Sequence, residues 1–137
     1  MLELIKVKNF IIAKEVILEF GNNLNVFTGE TGAGKTLIIN AIRFGIGEGI
    51  AKDLIIRELE KPAVQLIFSK RNKEEIICER MITDSGKSRT LINGLFVPLQ
   101  KYCEVCSSLI SIHGQGNTED LSSRKKQLYF FDYFFRD

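Results

Sequence analysis

A short apolar run, Leu24-Asn25-Val26-Phe27-Thr28, leads directly into Gly29-Glu30-Thr31-Gly32-Ala33-Gly34-Lys35-Thr36, and no other feature of this 137-residue chain restricts its fold as strongly. The octet satisfies G-x-x-x-x-G-K-[ST] in full. An apolar strand before it and an amphipathic helix after it are the context that separates a phosphate-binding loop from a chance glycine-rich turn. Gly29, Gly32 and Gly34 permit backbone angles that a side chain forbids, so successive N–H groups turn inward and cradle phosphates at the positive end of the helix. Lys35 brings a mobile cation to the outer phosphates, and the Thr36 hydroxyl is placed to hold Mg²⁺. All eight residues, with Glu30, Thr31 and Ala33 between the glycines, are therefore expected to bind nucleotide, with ATP and Mg²⁺ as the ligands.

Around this loop the hydrophobic period changes twice. Ile5 and Val7 alternate with Lys6 and Lys8, and Val16, Leu18 and Phe20 with Ile17 and Glu19, which predicts strands at about 2 to 9 and 15 to 20. Residues 24 to 28 are expected to form a third strand. Leu37, Ile38, Ala41, Ile42 and Gly45 then follow three-to-four spacing, the buried face of a helix that Gly45, Gly47 and Gly49 end. From Ala63 the period returns to two. Val64, Leu66 and Phe68 share one face, Ile76 to Ile82 and Arg89 to Ile92 follow, and Asn93-Gly94 is a strong hairpin signal before Leu95 to Val97. Residues 63 to 97 thus read as an antiparallel meander. Pro98 suits a helix start, 99 to 108 can be helical, and a short strand is expected at Leu109 to Ile112.

Hydrophobic residues at 45% and charged residues at 26% fit a folded domain and exclude a disordered tail. Charge interrupts every apolar stretch, so neither a signal sequence nor a span of about 18 apolar residues can be drawn, and a cytoplasmic, nucleoid-associated protein without a membrane partner is expected. With a net charge of only +2, affinity for nucleic acid would have to come from local clusters such as Lys70, Arg71 and Lys73, or Arg124, Lys125 and Lys126, each of which reads on its own as a solvated loop. Three cysteines without an export signal imply reduced thiols. Cys103 and Cys106 form a C-x-x-C, but a zinc ribbon needs a second pair or histidines at ligand spacing, and His113 is the single histidine. Helix packing is the default reading of the pair.

The run from Leu4-Ile5-Lys6-Val7-Lys8-Asn9-Phe10, through Phe20 to Gly34, to Gly86-Lys87-Ser88-Arg89-Thr90-Leu91-Ile92-Asn93-Gly94 and Ile112-His113-Gly114-Gln115, resembles the N-terminal part of the bacterial RecN family, in the SMC-like branch of ABC ATPases. The similarity covers nearly the whole chain in order. It implies an α/β fold: the N-terminal lobe of an ABC-type head, with a P-loop core over residues 1–60 and 99–116, the β-meander over 63–97 and a helical segment over 119–137. It also implies that Gln115 occupies the Q-loop position, completing the Mg²⁺ shell and sensing the γ-phosphate. A neutral amide oxygen can ligate a hard cation, and the flanking Gly114 and Gly116 would let the loop move. Arg57 matches a family position where a basic residue can approach nucleotide or DNA, and a surface arginine is an equal reading. Where several relatives carry an arginine after Asn-Phe, this chain has Ile11 and Ile12, so a base-stacking arginine is not expected.

The resemblance further implies repair of DNA double-strand breaks in a longer protein, with DNA and a C-terminal ATPase half or a homodimer partner. In that family the Walker B strand and the Leu-Ser-Gly-Gly signature lie in the C-terminal half. The one local Walker B candidate, Leu128-Tyr129-Phe130-Phe131-Asp132, is followed by Tyr133, and Leu121, Leu128, Phe131 and Phe135 fall on one helical face, which favours a helix. ATP binding without hydrolysis is therefore expected of this chain, together with self-association through aromatics such as Tyr129, Phe130 and Phe134. Two other readings stay open: a complete small P-loop kinase or NTPase using Asp132 for magnesium, and a non-catalytic interaction module whose basic clusters bind DNA or a partner.

Overall fold

In the computed structural model, residues 1–30, 34–49, 61–70, 72 and 74–113 are described. Two strands, β1 (Leu2–Phe10) and β2 (Ala13–Glu19), precede helix α1 (Lys35–Gly45). Four more follow, β3 (Ala63–Ser69), β4 (Glu75–Ile82), β5 (Ser88–Ile92) and β6 (Leu95–Phe96), and then helix α2 (Leu99–Leu109). All six strands form one antiparallel sheet in the order β2-β1-β3-β4-β5-β6. The period-two pattern from Ala63 is the meander it predicts. The two N-terminal strands join the meander's own sheet, because β1 pairs with β3 in the register Ile5↔Leu66 and Val7↔Val64.

That register is dictated by burial. Ile5, Val7, Val64, Leu66 and Cys78 all point to one face and are fully buried, and Phe68 is 1% exposed. A one-residue slip of β1 would place Lys6 and Lys8 in the core instead. The helices cover this face. Leu37, Ala41, Ile42, Phe44 and Gly45 of α1 are buried, and the Phe44 ring lies 5.6 Å from that of Phe10. Gly45 is needed where α1 crosses the sheet, since a Cβ there would come within 2.9 Å of Val64 and 3.0 Å of Leu66. Tyr102 and Cys106 of α2 complete the core.

The hairpin at Asn93-Gly94 has both residues left-handed, at φ 49° and 78°, as the tight turn requires. Asn93 also extends the ladder: its N–H donates to the Ile77 carbonyl at 2.8 Å, and its Oδ1 accepts from the Ile77 N–H at 2.8 Å. Thr90 then anchors the entry to α2, its hydroxyl donating to the Val97 carbonyl at 2.6 Å.

Two sequence expectations are corrected. Residues 24 to 28 are not a strand of this sheet: they take no ladder partner among the described residues, and Leu24, Val26 and Phe27 are 86%, 70% and 42% exposed. The apolar pattern is that of a strand buried on both faces, but an isolated strand has nothing to hydrogen-bond with. Leu109 to Ile112 is not a strand either. Leu109 is the last residue of α2, and its helical carbonyl bond from Ile110 N–H to Cys106, at 3.1 Å, closes the turn.

Candidate functional site

The P-loop octet lies between the exposed extended segment and α1, and Thr31, Gly32 and Ala33 in its middle fall outside the described residues. Its two ends are brought together: the Lys35 ammonium donates to the Gly29 carbonyl, so the lysine folds back across the loop. Gly34 is the N-cap of α1 at φ 89°, left-handed, and a Cβ there would meet nothing within 4 Å. Space does not demand glycine at 34; the backbone angle does. The Gly34 carbonyl accepts the first helical bond, from Ile38 N–H at 3.1 Å.

The N-terminus of α1 carries no side-chain cap and no acidic residue in its first turn. Its leading N–H groups have no acceptor from the helix itself, and the helix dipole adds partial positive charge at the same place. Thr36 is exposed in that first turn, and Glu30 at the loop's start is exposed as well. Uncapped donors, a lysine ammonium and an open hydroxyl suit a nucleotide phosphate chain with its magnesium ion: the donors and Lys35 would hold phosphate oxygens, and Thr36 would supply an oxygen ligand to the metal.

The C-terminal end of α1 is built differently, and nothing in the sequence analysis singled it out. Arg80 of β4 is 6% exposed and donates through Nη1 to the Phe44 carbonyl at 2.8 Å and the Glu48 carbonyl at 2.6 Å, and through Nε to Ser88 Oγ at 2.7 Å. Its guanidinium carbon sits 4.5 Å over the Phe44 ring. Burial lowers the arginine's pKa from its usual value. The Tyr102 hydroxyl donates to the Gly45 carbonyl at 2.5 Å, and burial holds it protonated far above the ordinary tyrosine range. In sequence Arg80 was one polar residue in an alternating strand and Tyr102 one aromatic in a helix, so only their burial reveals the role.

Arg57, Gln115 and Asp132 lie outside the described residues, as do Arg71, Lys73, the basic run at 124 to 126 and the aromatic segment from 121. Lys70 is exposed and pairs with Glu74 at 3.6 Å, as a solvated turn would. Cys103 and Cys106 sit on α2, and among the described residues no group of three or more His, Cys, Asp or Glu is placed to hold a metal ion. No helix among them is long and apolar enough to cross a membrane.

Comparison with known proteins gives the class: the family model described as AAA domain matches residues 4–134, so the chain belongs to that family. Within it the chain is similar to the DNA repair protein RecN of Halalkalibacterium halodurans, with 33% identity over 98% of this chain and 26% of that protein. It thus spans about a quarter of the length of its RecN relatives, and the RecN resemblance of its motifs holds across almost its full extent.

The fold is that of SMC-type heads. The Smc head domain of Pyrococcus furiosus, solved with an extended coiled coil and bound to the C-terminal domain of ScpA, matches at a TM-score of 0.75 and 22% identity, covering 96% of this chain and 41% of that one. A chain from a structural study of ATP-driven dimerization and DNA-stimulated activation of SMC ATPases matches at a TM-score of 0.70 and 19% identity, over 97% of this chain and 98% of that one.

Proposed function

We propose that this chain is the lobe that binds Mg²⁺ and ATP in a RecN-like protein that repairs DNA double-strand breaks, and that by itself it holds ATP without turning it over. The observation that carries the reading is the open N-terminus of α1, uncapped and free of acidic residues, beside Lys35 and a left-handed Gly34. In this reading Gly29 to Thr36 wrap the phosphates, Lys35 leaves the Gly29 carbonyl for a phosphate oxygen, and Thr36 with Gln115 holds the ion. Bound Mg²⁺ would offset phosphate charge. Arg57 is assigned to nucleotide or DNA contact.

Hydrolysis needs a carboxylate to orient water and a signature segment closing on the γ-phosphate, which the resemblance assigns to a C-terminal half or a partner head. The exposed Leu24, Val26 and Phe27 fit this division, since an extended apolar segment beside the P-loop is what a sheet contributed from elsewhere would cover. DNA and the second ATPase half are accordingly its partners in a longer protein, in the cytoplasm at the nucleoid.

The test is binding of a fluorescent ATP analogue, with and without EDTA, to the chain and to Lys35→Ala, with phosphate release followed in the same samples. Binding that weakens on chelation, falls about 30-fold in Lys35→Ala and releases no phosphate is expected, a charged hydrogen bond being worth about 2 kcal/mol. Steady phosphate release by the chain alone would sink the non-hydrolysing reading and move Asp132 to the centre of the chemistry.

A further inference from the structure

The helices pack on one face of the sheet, and the opposite face gathers cations that the sequence scatters. Lys8 of β1, Ala63 of β3, Met81 of β4 and Arg89 of β5 form one cross-strand row on that face, each directly opposite the next. Lys8 and Arg89 are exposed at its two ends, about 14 Å apart at ordinary strand spacing, and Ala63 and Met81 put no charge between them. Lys61 and Lys87, both exposed, extend the row past the strand ends. The Lys87 carbonyl accepts from Thr83 N–H at 2.8 Å, and the Pro62 carbonyl beside Lys61 accepts from Ile82 N–H at 3.0 Å, which sets both lysines around the β4–β5 turn. The carboxylates here hold them weakly. Lys8 pairs with Glu15 at 3.4 Å and Lys61 with Asp84 at 4.0 Å, and the side chains of both pairs are 48% to 101% exposed, so water and other anions compete. The other end of the same face is acidic: Glu3, Glu19 and Glu75 line a hollow of about 320 Å³ with Leu4 and Ile67.

We propose that this row is a docking surface for the phosphate backbone of duplex DNA, which crosses the strands over Lys8, Lys61, Lys87 and Arg89 and is kept off the far end of the face by its carboxylates. The inference rests on the reading of DNA as a partner in the longer protein, and it names the surface that this lobe contributes. Over about 14 Å of its axis a duplex presents about eight phosphates, so each of the four cations has one within reach. The cations stand on a sheet face, and no helix or ribbon among the described residues projects from that face into a groove. Contacts of this kind go to phosphate and carry no sequence information. Binding is therefore independent of base sequence and driven by counterion release, which makes it steeply dependent on salt. Neither basic run visible in the sequence supplies this surface. Lys70, the described member of the first, sits on the β3–β4 turn at the acidic end, paired with Glu74 at 3.6 Å.

The experiment titrates a labelled random-sequence duplex with the full chain by fluorescence anisotropy over about 50 to 200 mM salt. It compares the unsubstituted protein with Lys8→Gln, Arg89→Gln, the double variant and Lys70→Gln. A slope of log K against log salt of about −4 is expected, shallower by about 1 in each single variant and by about 2 in the double, with Lys70→Gln unchanged. All three substituted positions are exposed, and unfolding midpoints taken alongside check that the fold is intact. The parental slope in the double variant, or a loss confined to Lys70→Gln, would overturn the surface while leaving DNA as a partner. No salt-dependent duplex binding by the unsubstituted chain would remove the surface and DNA contact by this lobe together. Binding of the ATP analogue, followed in the same samples, reports the nucleotide reading separately.

Discussion

At its C-terminal end α1 meets protein donors: Arg80 donates to the Phe44 carbonyl and to that of Glu48 just beyond the helix, and the Tyr102 hydroxyl donates to that of Gly45. At its N-terminal end the same helix has no side-chain cap, and a left-handed glycine leads into the lysine that bends back over the loop. Each end begins with the same problem, backbone groups without an intrahelical partner. Solving it from within at one end fixes the helix against the sheet. Leaving it unsolved at the other keeps the donors open for the anion proposed above, while the anchored far end of the 11-residue helix holds them in place.

If the two ends do separate tasks, substitutions should sort by end. The largest expected effect is on stability: Arg80→Ala removes the hydrogen bonds to Phe44, Glu48 and Ser88 and the contact with the Phe44 ring, at a cost of about 3 kcal/mol in urea unfolding, with nucleotide affinity of the folded fraction preserved. An Arg80→Ala protein that is fully stable yet binds ATP analogue poorly would break the comparison. Next is the Lys35→Ala loss of binding described above, which should leave the urea midpoint unchanged.

Gly34→Ala sharpens the same point. With open space around it, the substitution pays only for a left-handed alanine, about 1 to 2 kcal/mol, and the loss should be read mainly in weaker ATP analogue binding, since relaxing Gly34 turns the loop's donors away. An undiminished affinity in titration would show that the left-handed angle at 34 is dispensable. The smallest effect expected is that of Tyr102→Phe, about 1 kcal/mol from the loss of one hydrogen bond to the Gly45 carbonyl, measured by the unfolding midpoint and absent from binding.

The strands of the meander, both helices and the Asn93-Gly94 turn were legible because each rests on local signals: alternation, three-to-four spacing, and two residues that tolerate positive φ. The segment at 24 to 28 was misread for a related reason. Its apolar pattern reports only that those residues suit burial, while a strand exists by virtue of a neighbour, and no neighbour stands beside Leu24 or Val26 among the described residues. The glycine-rich octet was legible as a motif, since its pattern is compressed into eight consecutive positions, and the structure adds the left-handed Gly34 that caps α1. The helix clamp was not, because Arg80 lies 36 residues from Phe44 in sequence and Tyr102 lies 57 from Gly45.

The sequence by itself therefore determined the glycine-rich motif at the start of α1, the alternation that pairs Val64, Leu66 and Phe68 with a buried face, and the family resemblance that a relative at 33% identity bears out. Only the tertiary structure decided that β1 and β2 close onto the meander as one sheet, and that Arg80 and Tyr102 hold one end of α1. The division is physical: local signals act through backbone angles and periodicity within a few residues, whereas strand pairing and the burial of a cation depend on which distant segments the hydrophobic core draws together.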